Sequence, residues 1–149
     1  MKIKVINKNS DIALPSYQTN YSSGLDIRSN QDCVLKPDEI KVITTGIFIE
    51  IPKHSDFLVE AQIRSRSGLS KDGLIILNAP GTIDNDYNGE IKLIVMNCSN
   101  YGQKIIKGSR LAQMVFCKVE RIEWEEVSSF ENDVQNKRND NGFGSTGIQ

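Results

Sequence analysis

The run GLIILNAPGTIDNDYNGEIKLIVMN, residues 73–97, decides the fold class. Leu74-Ile75-Ile76-Leu77 is an apolar run of strand length. Ile91, Leu93 and Val95 alternate with Lys92, Ile94 and Met96 in the period-two pattern of a second strand. Between them, Asn88-Gly89 predicts a hairpin with a type I′ turn, whose two central residues need positive φ. Asn78, Asp84, Asp86 and Tyr87 sit at the join, more polar and aromatic cargo than a turn requires. Acids and a ring gathered beside a tight turn form a candidate small-molecule site. A structural alternative stands beside it: Asp84 and Asp86 cap turn N–H groups while Tyr87 covers an edge of the core. The residues of this run leave both open.

The same punctuation continues outward. Ile3 and Val5 alternate with lysines in an opening strand. Residues 24–28, 33–35, 41–45, 47–51 and 57–63 follow as short strands, broken by Pro37, Gly46 and Pro52. Residues 108–117 form another, apolar on both faces from Met114 to Cys117, which points to a subunit contact as much as to a core. Arg110 and Gln113 are its polar exceptions, readable as buried satisfied groups or as ligands. No stretch carries the period of a long amphipathic helix, so the chain reads as all-β: a sandwich, jelly roll or barrel of short strands. One helical turn is expected, with Ser67 suited to its N-cap and Gly73 to the residue past its end. Arg64, Arg66 and Lys71 around that turn make either an anion site or a solvated basic turn.

Bulk properties narrow the function classes. The 149 residues are 38% apolar and 25% charged, the composition of one soluble globular domain. Eighteen basic residues against 19 acidic ones leave a net charge of -1, which disfavours a nucleic-acid-coating role. Cys33, Cys98 and Cys117 are dispersed and odd in number, as expected for free thiols in a reducing compartment. His54 is the single histidine, which excludes a two-histidine zinc motif, and it reads as an exposed loop residue. The first ten residues lack the apolar core of a signal peptide, and no run reaches the ~18 apolar residues of a membrane span. A cytoplasmic protein with neither membrane nor nucleic-acid partner is expected.

Near Ser128 the composition turns polar and rich in Gly and Asn, dividing the chain into a β domain, 1–127, and a flexible C-terminal arm, 128–149. Arg138 precedes Gly142-Phe143-Gly144-Ser145-Thr146-Gly147. Glycines let backbone N–H groups approach a phosphate, Ser145 and Thr146 add hydroxyls, Arg138 a charged fork and Phe143 a stacking ring. A plain flexible tail is the alternative.

In order, GLDIRS, RSRSGLSKDG, NAPGTIDNDYNG, GSRLAQM and RNDNGFGSTG resemble the five signature motifs of the homotrimeric dUTP pyrophosphatases (dUTPases), from Gly24 to Gly147. The resemblance implies a distorted jelly-roll or β-clip barrel with one short helical segment, and a trimer with three shared active sites capped by glycine-rich arms. It implies Mg²⁺-dependent hydrolysis of dUTP to dUMP and pyrophosphate, which keeps uracil out of DNA and supplies dUMP for dTTP synthesis. By position, Asp84 would be the general base, and Asn78 with the backbone from Thr82 and Ile83 would read uracil. Tyr87 would pack beneath the deoxyribose and exclude a 2′-hydroxyl. Arg66, Ser67 and Gly68 would hold phosphate oxygens from a neighbouring subunit, with Gln113 near the phosphates and Lys92 on the substrate side. Asp26 would meet the metal's water shell, while Arg138, Phe143, Gly144, Ser145 and Thr146 would close over phosphate and base.

The residue types suit that chemistry. Uracil's acceptor–donor–acceptor edge matches backbone N–H and C=O groups, and cytosine would leave buried partners unpaired at ~1–3 kcal/mol each. Phosphoryl transfer needs positioning and charge neutralisation more than many bases. Mg²⁺ carried on phosphate oxygens and waters needs no protein cage. Ser65 departs from the family's usual PRSG, and Asn139 and Asn141 stand where glycines are usual. Two rivals share the scaffold: a dCTP deaminase, for which Glu90 is the acid to watch, and a non-catalytic dUTP sensor, against which the presence of Asp84 argues.

Overall fold

Alternating apolar side chains become eleven strands in a computed structural model that describes residues 1–53 and 57–129. They are β1 (Lys4–Asn7), β2 (Leu25–Arg28), β3 (Cys33–Leu35), β4 (Ile40–Thr44), β5 (Ile47–Glu50) and β6 (Leu58–Ser65), then β7 (Leu74–Ile76), β8 (Gly81–Ile83), β9 (Lys92–Asn97), β10 (Gln103–Ile105) and β11 (Arg110–Val119). A single short helix, α1 (Ser67–Lys71), joins β6 to β7. Every named pairing is antiparallel. β2-β11-β6-β8 makes one sheet and β4-β9-β7 another, with β1-β5 and β3-β10 as two-stranded ribbons. The all-β, jelly-roll-type expectation holds.

Inward residues of each strand meet in one core. Val59, Ala61 and Ile63 of β6 pack with Leu93 and Val95 of β9, Ile43, Leu74, Ile76 and Ile27. Each fully buried aliphatic side chain contributes about 1.5–3 kcal/mol by leaving water. Asn97, fully buried at the end of β9, donates from Nδ2 to the carbonyls of Leu35, Lys36 and Tyr101 and accepts from Ser99 N–H and Oγ–H. That one amide ties β9 to the β3–β10 ribbon. All three cysteines are free, and burial pushes the Cys33 thiol up from its ordinary pKa, with Lys41 opposing.

Three local expectations are corrected. The first strand of the opening run does pair with the last, Leu74 opposite Asn97, but residues 88–89 form no type I′ turn. Positive φ among the described residues is confined to Asp38, Gly46, Gly73 and Gly108. Between β7 and β9 the chain leaves its sheet, adds β8 to β6 in the other sheet, and returns. Gly89 answers a different need: a Cβ there would lie 2.5 Å from Tyr87 Oη. Second, the N-cap of α1 is the extended Arg66, not Ser67, and no side chain caps the helix. Gly73 does take the left-handed φ, +85°, just past the helix end. Third, Val115, Phe116 and Cys117 are half-buried, and β11 pairs with β2 only as far as Met114. The sheet apolar on both faces is β4-β9-β7. Its outward residues line up as Ile40, Met96 and Ile75 in one cross-strand row, with Val42 beside Ile94 in the next. Ile40 and Val42 are each 53% exposed.

Candidate active site

The register of three strands builds one half of the site. Asp26 of β2 lies opposite Gln113 of β11, which lies opposite Arg64 of β6. Arg66 follows directly where β6 ends. The Asp26 carboxylate is 2% exposed, and a carboxylate in that position is tolerable only when paired. Arg66 Nε sits 3.3 Å from Oδ1 and Arg110 Nη1 3.2 Å from Oδ2. Gln113 Nε2 donates to Oδ1 at 3.3 Å. Arg66 Nη1 donates to the Arg110 carbonyl at 2.9 Å, and Arg110 Nη1 to Gln18 Oε1 at 3.0 Å. Two guanidiniums, one amide and the exposed Ser67 and Gly68 therefore converge at one edge of the sheet. A Cβ built on Gly68 meets nothing within 4 Å, so the backbone there faces open space. Arg110 is a satisfied group, paired with Asp26 and Gln18; Gln18 carried no sequence signal, since its neighbours form an irregular loop.

The other half is the excursion from residue 78 to residue 90. Asn78 folds its amide over Gly81, where a Cβ would come within 2.8 Å of Nδ2. Thr82, Asp84 and Tyr87 are exposed, and Ile83 is half-buried against the core. Tyr87 N–H donates to the Asp84 carbonyl at 3.1 Å, and the tyrosine hydroxyl donates to the Glu90 carbonyl at 2.9 Å. The ring is thereby laid across Gly89, and the Asp84 side chain is carried outward on a tight turn. Asn85 secures the turn to the sheet through the Val59 carbonyl at 3.2 Å. Glu90 Oε1 accepts Gly46 N–H at 2.8 Å, so this carboxylate braces the β4–β5 turn. Lys92 opens β9 opposite Thr44 and bonds to neither half.

The halves are apart. Asp84 follows Ile83, which pairs with Ala61, itself opposite Phe116; Gln113 lies three residues back along β11, with Asp26 opposite it on β2. With strand spacings of ~4.8 Å and a rise of ~3.3 Å per residue, Asp84 is roughly 16–20 Å from Gln113 and Asp26 of its own chain. Among the described residues, no side-chain hydrogen bond or ion pair links Asp26, Arg66, Arg110 or Gln113 to residues 78–90; the two halves meet through the β6–β8 ladder and the Asn85–Val59 bond. No group of three or more His, Cys, Asp or Glu positioned to hold a metal occurs among the described residues either. His54 and the arm residues Arg138, Phe143, Gly144, Ser145 and Thr146 lie outside the described residues.

The dUTPase family model matches residues 10–147. The chain belongs to the dUTPase family. A deoxyuridine 5'-triphosphate nucleotidohydrolase of Finegoldia magna is 48% identical over 150 residues, covering 99% of each chain. One from Rickettsia felis is 46% identical over 151 residues, covering 99% of this chain and 97% of its own. Among solved structures, the Staphylococcus bacteriophage 80alpha dUTPase with dUpNHpp is similar over 99% of each chain, with a TM-score of 0.86 and 27% identity. A mutant dUTPase from phage phi11 of S. aureus, which reveals the coordination of a structural Mg(II) ion, shares the fold at 24% identity. Its TM-score is 0.78, and the match covers 88% of this chain and 99% of its own.

Proposed function

We propose that the family reaction, hydrolysis of dUTP to dUMP and pyrophosphate, takes place here at sites shared between copies of the chain. The observation that carries this reading is the division just described: four phosphate-suited side chains are assembled at one sheet edge, while Asp84 points outward roughly 16–20 Å from Gln113 and Asp26. Asp84 deprotonates the attacking water. Because it sits beside Tyr87, which floors the deoxyribose, the phosphorus within its reach is the first one, and pyrophosphate leaves. Asn78 and the backbone of Thr82 and Ile83 read uracil. Arg66, Ser67, Gly68 and Gln113 of a neighbouring copy hold phosphate oxygens and neutralise charge. Lys92 adds a cation on the substrate side. Residues 1–127 form the domain that carries these groups. The arm from residue 128 brings Arg138, Phe143, Gly144, Ser145 and Thr146 over the bound nucleotide.

A homotrimer fits the outward apolar face of β4-β9-β7, since a monomer leaves Ile40 and Val42 half in water beside Ile94 and Met96. Mg²⁺ fits as an ion carried in by the substrate. Asp26 has both oxygens engaged by cations and the amide, so it is reached through water rather than offered as a direct ligand. When bound with the triphosphate, Mg²⁺ would supply neutralisation of its negative charge. The chain's own residues position the phosphates and hold the proton at Asp84. Free thiols fit a reducing cytoplasm. The deaminase reading has no support from Glu90, whose Oε1 accepts Gly46 N–H and braces the β4–β5 turn.

The test is pyrophosphate release with Mg²⁺ from dUTP, dCTP, dTTP and UTP offered separately. Release from dUTP alone is expected. Ammonia from dCTP, or silence on all four with dUTP still bound, would overturn the reading.

A further inference from the structure

We infer that Ser65 is a positioning residue for triphosphate binding, through a hydrogen bond that closes the neck of the α1 loop. Ser65 is the last residue of β6, opposite Ala112, and directly precedes Arg66. Its hydroxyl oxygen accepts the backbone N–H of Ile76 at 2.8 Å, across 11 residues of sequence. Ile76 is only 4% exposed and belongs to β7, in the other sheet. This bond therefore cinches the two ends of the segment carrying Arg66, Ser67 and Gly68. It also ties that segment to β7, two residues ahead of Asn78. A proline at this position, usual in the family, has no side-chain oxygen to offer Ile76. Here the hydroxyl supplies by hydrogen bonding the fixity that a ring would supply by locking φ. Arg66 is then held from two directions: through its backbone by the Ser65 neck, and through its side chain by Asp26 and the Arg110 carbonyl.

This inference rests on the dUTP reading, and its test separates the two. Binding of dUpNHpp and of deoxyuridine, which lacks phosphates, is measured by calorimetry on the full chain, with thermal melting alongside. Wild-type protein that fails to bind dUpNHpp would sink the dUTP reading itself. Given binding, Ser65→Ala is expected to weaken dUpNHpp roughly five- to twentyfold, within what an orphaned buried amide costs. Deoxyuridine affinity stays unchanged, and Ser65→Thr, which keeps the acceptor, binds dUpNHpp as wild type does. Should Ser65→Ala not fold, Ser65→Cys, with its weaker acceptor, carries the comparison. Equal losses for both ligands, or a lowered melting temperature with dUpNHpp affinity intact, would overturn the positioning role.

Discussion

The two halves of the site are built on opposite principles. Around Asp26 the chain is dense: a buried carboxylate, two guanidiniums, an amide and a carbonyl occupy one another's hydrogen-bonding capacity. Around Asp84 it is open: the acid and the tyrosine stand in solvent, secured by backbone bonds at the foot of the arc. The dense half is finished within one chain. The open half is fixed by backbone bonds and faces solvent, an arrangement that the proposed sharing of sites between copies would use.

The sharpest way to break this comparison is to mix dead halves. Asp84→Asn alone is expected to lower kcat about 10²–10⁴-fold while dUpNHpp still binds, since a general base contributes that much. Arg66→Ala alone removes a phosphate clamp and costs on the order of 10²–10³-fold in kcat/KM. Unfolded and refolded together at equal amounts, the two variants should recover about a quarter of wild-type turnover, the share of sites that draw an intact Asp84 and an intact Arg66 from different chains. A mixture as silent as its parts would place both residues of each site on one chain. Gly89→Ala comes next: the added methyl collides with the Tyr87 ring, so kcat/KM for dUTP should fall roughly ten- to a hundredfold and discrimination against UTP should narrow. Measuring both substrates separates ring displacement from unfolding.

Asp26→Asn tests the dense half. Breaking a buried ion pair costs about 3–5 kcal/mol, but Arg66 and Arg110 are 26% and 40% exposed and rehydrate, so a loss of about 2 kcal/mol in urea unfolding is expected. The smallest effect belongs to Glu39, remote from both halves. The Lys36 N–H, and then Lys41, hold its pKa below the ordinary value, so its contribution is present above that value and fades as pH falls through the lowered one. Glu39→Gln should flatten stability slightly across that acidic window and leave neutral-pH turnover unchanged.

What the sequence made legible was periodic or ordered. Strand alternation located nearly every strand because inward residues had to be apolar, as at Leu93 and Val95, and the five motifs pointed to the family that the chain belongs to. The excursion at residues 78–90 was misread as a hairpin because Asn-Gly carries the same local signal whether the glycine supplies positive φ or room for a ring. Asn97 and Gln18 were invisible because their partners are carbonyls or side chains brought close only by the fold. Ser65 looked like a departure from a pattern until Ile76, 11 residues on, gave its hydroxyl a partner.

The distance between Asp84 and Asp26 has a consequence for how such a catalyst responds to dilution. A site divided between copies exists only while the copies are together, so specific activity is a function of protein concentration as well as of substrate. Below the concentration at which copies associate, loss of turnover precedes any loss of folded structure. On the proposed shared-site reading, kinetic constants for this chain acquire meaning only at a stated subunit concentration.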